Sequence, residues 1–145
     1  RIEMGHIAGS ELDGRTIPYD NSLEGLVSKK KDFIGKRSLD REAFIAEDRQ
    51  KVVGVVPIDK KTSIPEGSYL VKDSNAPIPN PKLGYISASC WSVEYDNPFS
   101  LAILKDGKNM IGQKLFAMSP LKNKTIPVEI VSSHYVDPKG ERVRS

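Results

Sequence analysis

From Lys51 onward, short β-branched runs alternate with turn residues at fairly even intervals, and this pattern restricts the fold more than any other feature of the chain. Such spacing is the signature of a small antiparallel sandwich or barrel. Strands are predicted over residues 51–56, 68–71, 83–89, 100–104, 113–116 and 125–132. Between them Pro65-Glu66-Gly67, Asp106-Gly107 and Pro138-Lys139-Gly140 read as turns, the middle one as a hairpin. Residues 73–81 carry three prolines that remove ladder donors, so this stretch is predicted to be a surface loop.

The first 47 residues differ. Gly5, Gly9, Gly14, Gly25 and Gly35 punctuate a loop-rich region with two short predicted helices. One is expected over 18–26, where Thr16 precedes a proline suited to a first helical turn. The other is expected over 38–45, with Ser38 as cap and Asp40 and Glu42 in the first turn. The fold class is therefore α+β: a mixed amino-terminal part followed by a small antiparallel β-barrel. A chain of 145 residues with 38% hydrophobic residues is long enough for a real core.

Charge and residue usage narrow the function classes. With 22 Lys+Arg against 19 Asp+Glu, the net charge of +3 is too small for polyanion binding to be the default, and no nucleic-acid partner is expected. Cys90 alone excludes an internal disulfide and a multi-cysteine zinc site, and suits a reducing cytoplasm. Nothing near it would lower its pKa, so it is expected to act as a small buried hydrophobe. His6 and His134 have no paired ligand at metal-binding spacing and are read as structural. No apolar run approaches the roughly 18 residues that span a bilayer, so no membrane partner is expected. The start at Arg1, without an initiator methionine, suggests a fragment of a longer polypeptide.

Two constellations stand out. Lys29-Lys30-Lys31-Asp32-Phe33-Ile34-Gly35-Lys36-Arg37 sets five cations around a short apolar plug, which could enter a core and leave ammonium groups at a cleft mouth. An anionic ligand, an acidic partner and a plain solvated face all fit that pattern. Glu3, on the apolar segment Arg1-Ile2-Glu3-Met4-Gly5, is a carboxylate that could accept paired N–H donors from a planar heterocycle, or pair with Arg1 or a lysine. The glycines form no dinucleotide fingerprint, because no strand, G-x-G-x-x-G turn and helix follow one another.

The blocks Gly5-His6-Ile7-Ala8-Gly9-Ser10-Glu11-Leu12-Asp13-Gly14-Arg15-Thr16 and Ser28-Lys29-Lys30-Lys31-Asp32-Phe33-Ile34-Gly35-Lys36-Arg37 resemble the carboxy-terminal part of the alpha subunits of heterotetrameric sarcosine oxidases. The resemblance runs on through Val53-Gly54-Val55, Gly84-Tyr85-Ile86-Ser87-Ala88-Ser89 and Ser100-Leu101-Ala102-Ile103-Leu104 to Val136-Asp137-Pro138-Lys139-Gly140. The barrel blocks are shared more loosely with aminomethyltransferases of the glycine-cleavage T-protein type. It implies that residues 1–47 are the tail of a folate-binding domain and residues 48–145 the barrel that closes over it.

It also implies a part in an oxidoreductase acting on CH–NH donors. Sarcosine is oxidised at a flavin-bearing amine oxidase subunit, tetrahydrofolate takes the one-carbon unit as 5,10-methylenetetrahydrofolate, and glycine and hydrogen peroxide are formed. FAD, FMN and NAD belong to the whole enzyme, without motifs for them in this chain. By resemblance, Glu3 holds the pterin, and Lys30 or Lys31 matches a basic position near the folate. Aminomethyltransferases carry arginine there, so a planar fork is replaced by a point charge. No residue here is assigned a catalytic role or a metal. The isolated fragment is expected to be inactive and prone to self-association. Rival readings are a non-catalytic module docking onto an acidic partner subunit, and a folate-dependent RNA-modification or iron–sulfur assembly protein with the same barrel.

Overall fold

The structure, a computed structural model, describes residues 1–77 and 79–144. Six strands form: β1 (Lys51–Pro57), β2 (Tyr69–Val71), β3 (Gly84–Ser92), β4 (Asn97–Leu104), β5 (Lys114–Ser119) and β6 (Lys124–Val131). They close into an antiparallel barrel in the order β1-β4-β3-β2-β5-β6, with β6 returning to β1 through Gly54 opposite Val131. Closure leaves no sheet edge among these strands unpaired.

Side-chain alternation decides which face of each strand turns inward. In β6, Ile126, Val128 and Ile130 are buried while Thr125, Pro127 and Glu129 are exposed. The inward residues meet Val53, Val55, Leu70, Ile86, Leu104 and Leu115 in one core. Strands β1 and β4 are buried on both faces, and for that reason they read as nearly continuous apolar runs. Their outer residues, Val52, Val56, Phe99, Leu101 and Ile103, form a second cluster covered by Ile2, Ile7 and Tyr135 from the two ends of the chain. The rings of Phe99 and Tyr135 stack 4.4 Å apart at 6°. This outer layer positions Glu3.

All six predicted strands are present, and the turn at Pro65-Glu66-Gly67 forms with Gly67 at φ 76° and the Ser68 N–H donating to the Pro65 carbonyl. The loop over 73–81 also forms, held by the Asn80 side chain on the Asp73 carbonyl; Ile78 within it, like Ser145 at the end of the predicted barrel domain, lies outside the described residues. Asp106-Gly107 is not a hairpin. The strands on either side, β4 and β5, are not neighbours, because β4 pairs with β1 and β3 and β5 with β2 and β6. The hairpins are instead β3–β4 and β5–β6.

The predicted helices are shorter than expected. Over 18–26 only a 3₁₀ turn at Glu24–Leu26 appears, because Ser22 takes φ 58° and the Asp20 carbonyl accepts the Val52 N–H of β1 rather than a helical donor. Over 38–45 there are two single turns, α1 (Lys36–Leu39) and α2 (Glu42–Ile45), separated where Arg41 is extended at ψ 142°. Ser38 lies inside α1 rather than capping it; Gly35 takes that place. A last turn, α3, spans Glu141–Arg144.

Candidate functional site

Glu3 lies in a tight turn in which the Gly5 N–H donates to the Ile2 carbonyl. The N–H groups of Tyr135 and Val136 donate to the Glu3 carbonyl at 2.9 and 3.0 Å, so its backbone is pinned to the carboxy-terminal segment. Its half-buried side chain meets the end of β3, where the Ser92 hydroxyl donates to Oε1 at 2.6 Å. Oε2 accepts no hydrogen bond from the described residues. The carboxylate is thus oriented through one oxygen and free at the other. A planar ligand bearing an amino group and a ring N–H is the kind of donor such a group accepts.

No ion pair joins Glu3 to a neighbour among the described residues. Arg1, one of the partners the sequence offers it, is 3.5 Å from Glu11 instead and donates to the His6 carbonyl. Glu11 is fully buried, accepts the Ala8 N–H at 2.8 Å through Oε2, and has no protein donor for Oε1. Cys90 packs against the Phe99 cluster; burial pushes its thiol pKa up, and the nearby Glu3 charge adds to the rise. It is suited to packing rather than nucleophilic attack. Tyr95 meets Tyr135 edge-on at 4.6 Å, and Asn97 donates to the Tyr135 hydroxyl at 3.1 Å.

The basic segment is placed elsewhere. Lys30 and Lys31 are exposed, and no hydrogen bond or ion pair joins either to Glu3 among the described residues. Their segment is tethered near the start of β1, where Glu24 pairs with Lys51; Glu3 sits at the other end of the β3–β4 ladder, by Ser92. Burial raises and the Lys51 hydrogen bond lowers the Glu24 pKa, with the ion pair winning. Ile34 is fully exposed, so the apolar plug expected from the sequence enters no core of this chain. Phe33 and Lys31 instead border an apolar cleft of about 440 Å³ with Leu23, Leu26, Val27 and Leu39. Lys29 and Lys36 border an adjoining cleft that shares Val27, Phe33 and Leu39.

Sequence reasoning singled out Glu3 but not the residues that hold it: Ser92, 89 positions away, and Tyr135 from the far end of the chain, itself bonded by Asn97. A serine closing a strand gives no sign of this. Among the described residues there is no cluster of three His, Cys, Asp or Glu side chains able to hold a metal ion, and no helix is long and apolar enough to cross a membrane.

No protein-family model matches the chain. Over 145 residues it is 35% identical to sarcosine oxidase subunit alpha of Rhizobium meliloti (strain 1021), a match covering 99% of this chain and 15% of the relative. It is 36% identical to sarcosine oxidase subunit alpha of Corynebacterium sp. (strain P-1), over 98% of this chain and 15% of that one. The chain therefore spans only 15% of the length of the curated relatives it matches. The crystal structure of glycine cleavage system aminomethyltransferase T from Bartonella henselae shares the fold, with a TM-score of 0.74 and 20% identity over 95% of this chain and 37% of that one.

Proposed function

Because the chain belongs with the sarcosine oxidase alpha subunits, of which it corresponds to one segment, we propose that it forms part of a tetrahydrofolate chamber in such an enzyme. The observation that carries this reading is the match of nearly the whole of this chain to a segment of those subunits. The barrel shared with aminomethyltransferase T and the half-free carboxylate of Glu3 support it.

In this account residues 1–47 complete a folate-binding domain and residues 48–145 form the barrel against it. Sarcosine gives up two electrons and two protons, one proton from its N-methyl carbon and one from its nitrogen, at a flavin on another subunit, and oxygen takes them up to leave as hydrogen peroxide. Tetrahydrofolate captures the oxidised one-carbon unit as 5,10-methylenetetrahydrofolate, releasing glycine. Glu3 Oε2 accepts from the pterin amino and ring N–H groups. Lys30 or Lys31 serves the anionic end of the ligand, which then extends along the barrel from Glu3 toward the start of β1. FAD, FMN and NAD are held by other parts of the enzyme. The benefit of enclosure is chemical: an imine open to water hydrolyses to formaldehyde, whereas a bound folate amine meets it first.

Calorimetry of the intact subunit tests the assignment. Tetrahydrofolate is expected to bind, and Glu3→Gln to weaken it by about tenfold or more, as for loss of a charge-assisted hydrogen bond. An unchanged affinity removes Glu3 from the site.

A specific observation also favours a docking role. Leu26 is 80% exposed, Ile34 fully so and Ile45 61%, and neither α1 nor α2 buries a residue. The cleft between Leu26 and Phe33 fits the remainder of the same subunit, since the relatives extend far beyond the matched segment. A cysteine at Leu26, in a Cys90→Ser background, should react with maleimide in the isolated chain and be protected in the intact alpha subunit alone. Protection that requires the other subunits would assign the cleft to them.

A further inference from the structure

Ser92 is a fully inaccessible serine at the closed end of the β3–β4 hairpin that reaches Glu3, 89 positions away. Its hydroxyl donates to Glu3 Oε1 at 2.6 Å and accepts the Tyr95 N–H at 3.3 Å. Because a carboxylate oxygen can only accept, the hydroxyl hydrogen is directed to Glu3. Opposite Ser92 in the ladder is Asn97, which donates to the Tyr135 hydroxyl. The same Tyr135 holds the Glu3 carbonyl through its own N–H. Backbone and side chain of Glu3 are therefore both fixed from the closed end of the β3–β4 hairpin.

We propose that Ser92 is a positioning residue for the ligand contact of Glu3, holding Oε1 so that Oε2 alone faces the bound heterocycle. The inference rests on the folate reading of Glu3. A carboxylate free to rotate about its terminal bond offers either oxygen in many orientations, and binding must then restrict it. One held by a buried hydroxyl has met that restriction during folding, which is the advantage of preorganisation. Ser92 touches no ligand itself. It acts through Glu3, and its effect should vanish when Glu3 can no longer present a charged acceptor.

A double-mutant cycle on the intact subunit, read as the Kd for tetrahydrofolate, tests this. Ser92→Ala should weaken binding about tenfold in the wild-type background, the size expected for a hydrogen bond to a charged group. In a Glu3→Gln background the same change should cost less than about twofold, because the interaction it supports is gone. Ser92→Thr, which keeps the hydroxyl, should restore most of the affinity. Should Ser92→Ala fail to fold, Ser92→Cys keeps the shape with a much weaker donor and should show the same coupled loss.

Equal losses from Ser92→Ala with and without Glu3→Gln would mark a merely structural residue and overturn the proposal. So would an unchanged Kd in Ser92→Ala while Glu3→Gln weakens binding, and in that case the folate reading stands. If Glu3→Gln itself leaves the affinity untouched, the folate reading of Glu3 fails and the role of Ser92 fails with it.

Discussion

Gly84→Ala is expected to destabilise the protein by about 3 kcal/mol or more, as for a severe overpacking change. A β-carbon there would lie 2.1 Å from the Ile103 carbonyl oxygen and 2.9 Å from the Leu104 α-carbon, backbone atoms that no side-chain rotation can remove. Gly84 opens β3 directly opposite Leu104 at the end of β4. Gly54 is constrained in the same way: its β-carbon would meet the Ser132 carbonyl at 2.3 Å and the Phe99 ring at 2.7 Å. Urea unfolding of Gly84→Ala and Gly54→Ala should therefore show much lower midpoints than Gly25→Ala, where a β-carbon meets open space. Equal midpoints for all three would show that the barrel is not closed as described.

Arg49→Met is expected to cost about 3 kcal/mol, the loss typical of leaving one buried charge without its partner. Asp20, with a side chain 3% exposed, receives Arg49 Nε at 2.8 Å and Nη2 at 2.5 Å, and also the Ile17 N–H at 3.1 Å. The same arginine donates to the Ala43 carbonyl and lies over the Phe44 ring, so it ties three stretches of the amino-terminal region together just before β1. Hydrogen bonding to Asp20 raises the pKa of Arg49. Removing both charges, as in Asp20→Leu with Arg49→Met, should destabilise the protein less than Arg49→Met alone, because no orphan carboxylate is left. Chemical denaturation of the single and double variants decides it. A double variant destabilised as much as Arg49→Met alone, or more, would contradict the account.

The barrel was legible because its signals are local. Alternation in β6 and turn residues around Gly67 identify strands without knowledge of their partners. Strand order was not, and the Asp106-Gly107 error shows why. A turn dipeptide between two apolar runs is the same in sequence whether the runs pair or cross the barrel. The continuous burial of β1 and β4 was visible as apolar composition, but its cause, a layer built from Ile2, Ile7 and Tyr135, joins both ends of the chain. The helix expected over 18–26 was overestimated because Asp20 serves Arg49 and β1, and the one over 38–45 because Arg41 is extended. In the candidate site, Glu3 could be singled out as a carboxylate in an apolar segment, whereas Ser92 became visible only through the fold. The lysines were legible as a cluster, but their placement away from Glu3 was not.

The central proposal is that this chain helps tetrahydrofolate intercept the one-carbon unit of sarcosine, with Glu3 holding the pterin. The most direct measurement follows ¹³C from the N-methyl group of sarcosine in the assembled enzyme with tetrahydrofolate present. Wild type should deliver the label mainly to 5,10-methylenetetrahydrofolate, and Glu3→Gln should divert it to formaldehyde while hydrogen peroxide forms at the same rate. An identical division of label in the two enzymes, at folate concentrations below saturation, would contradict the account.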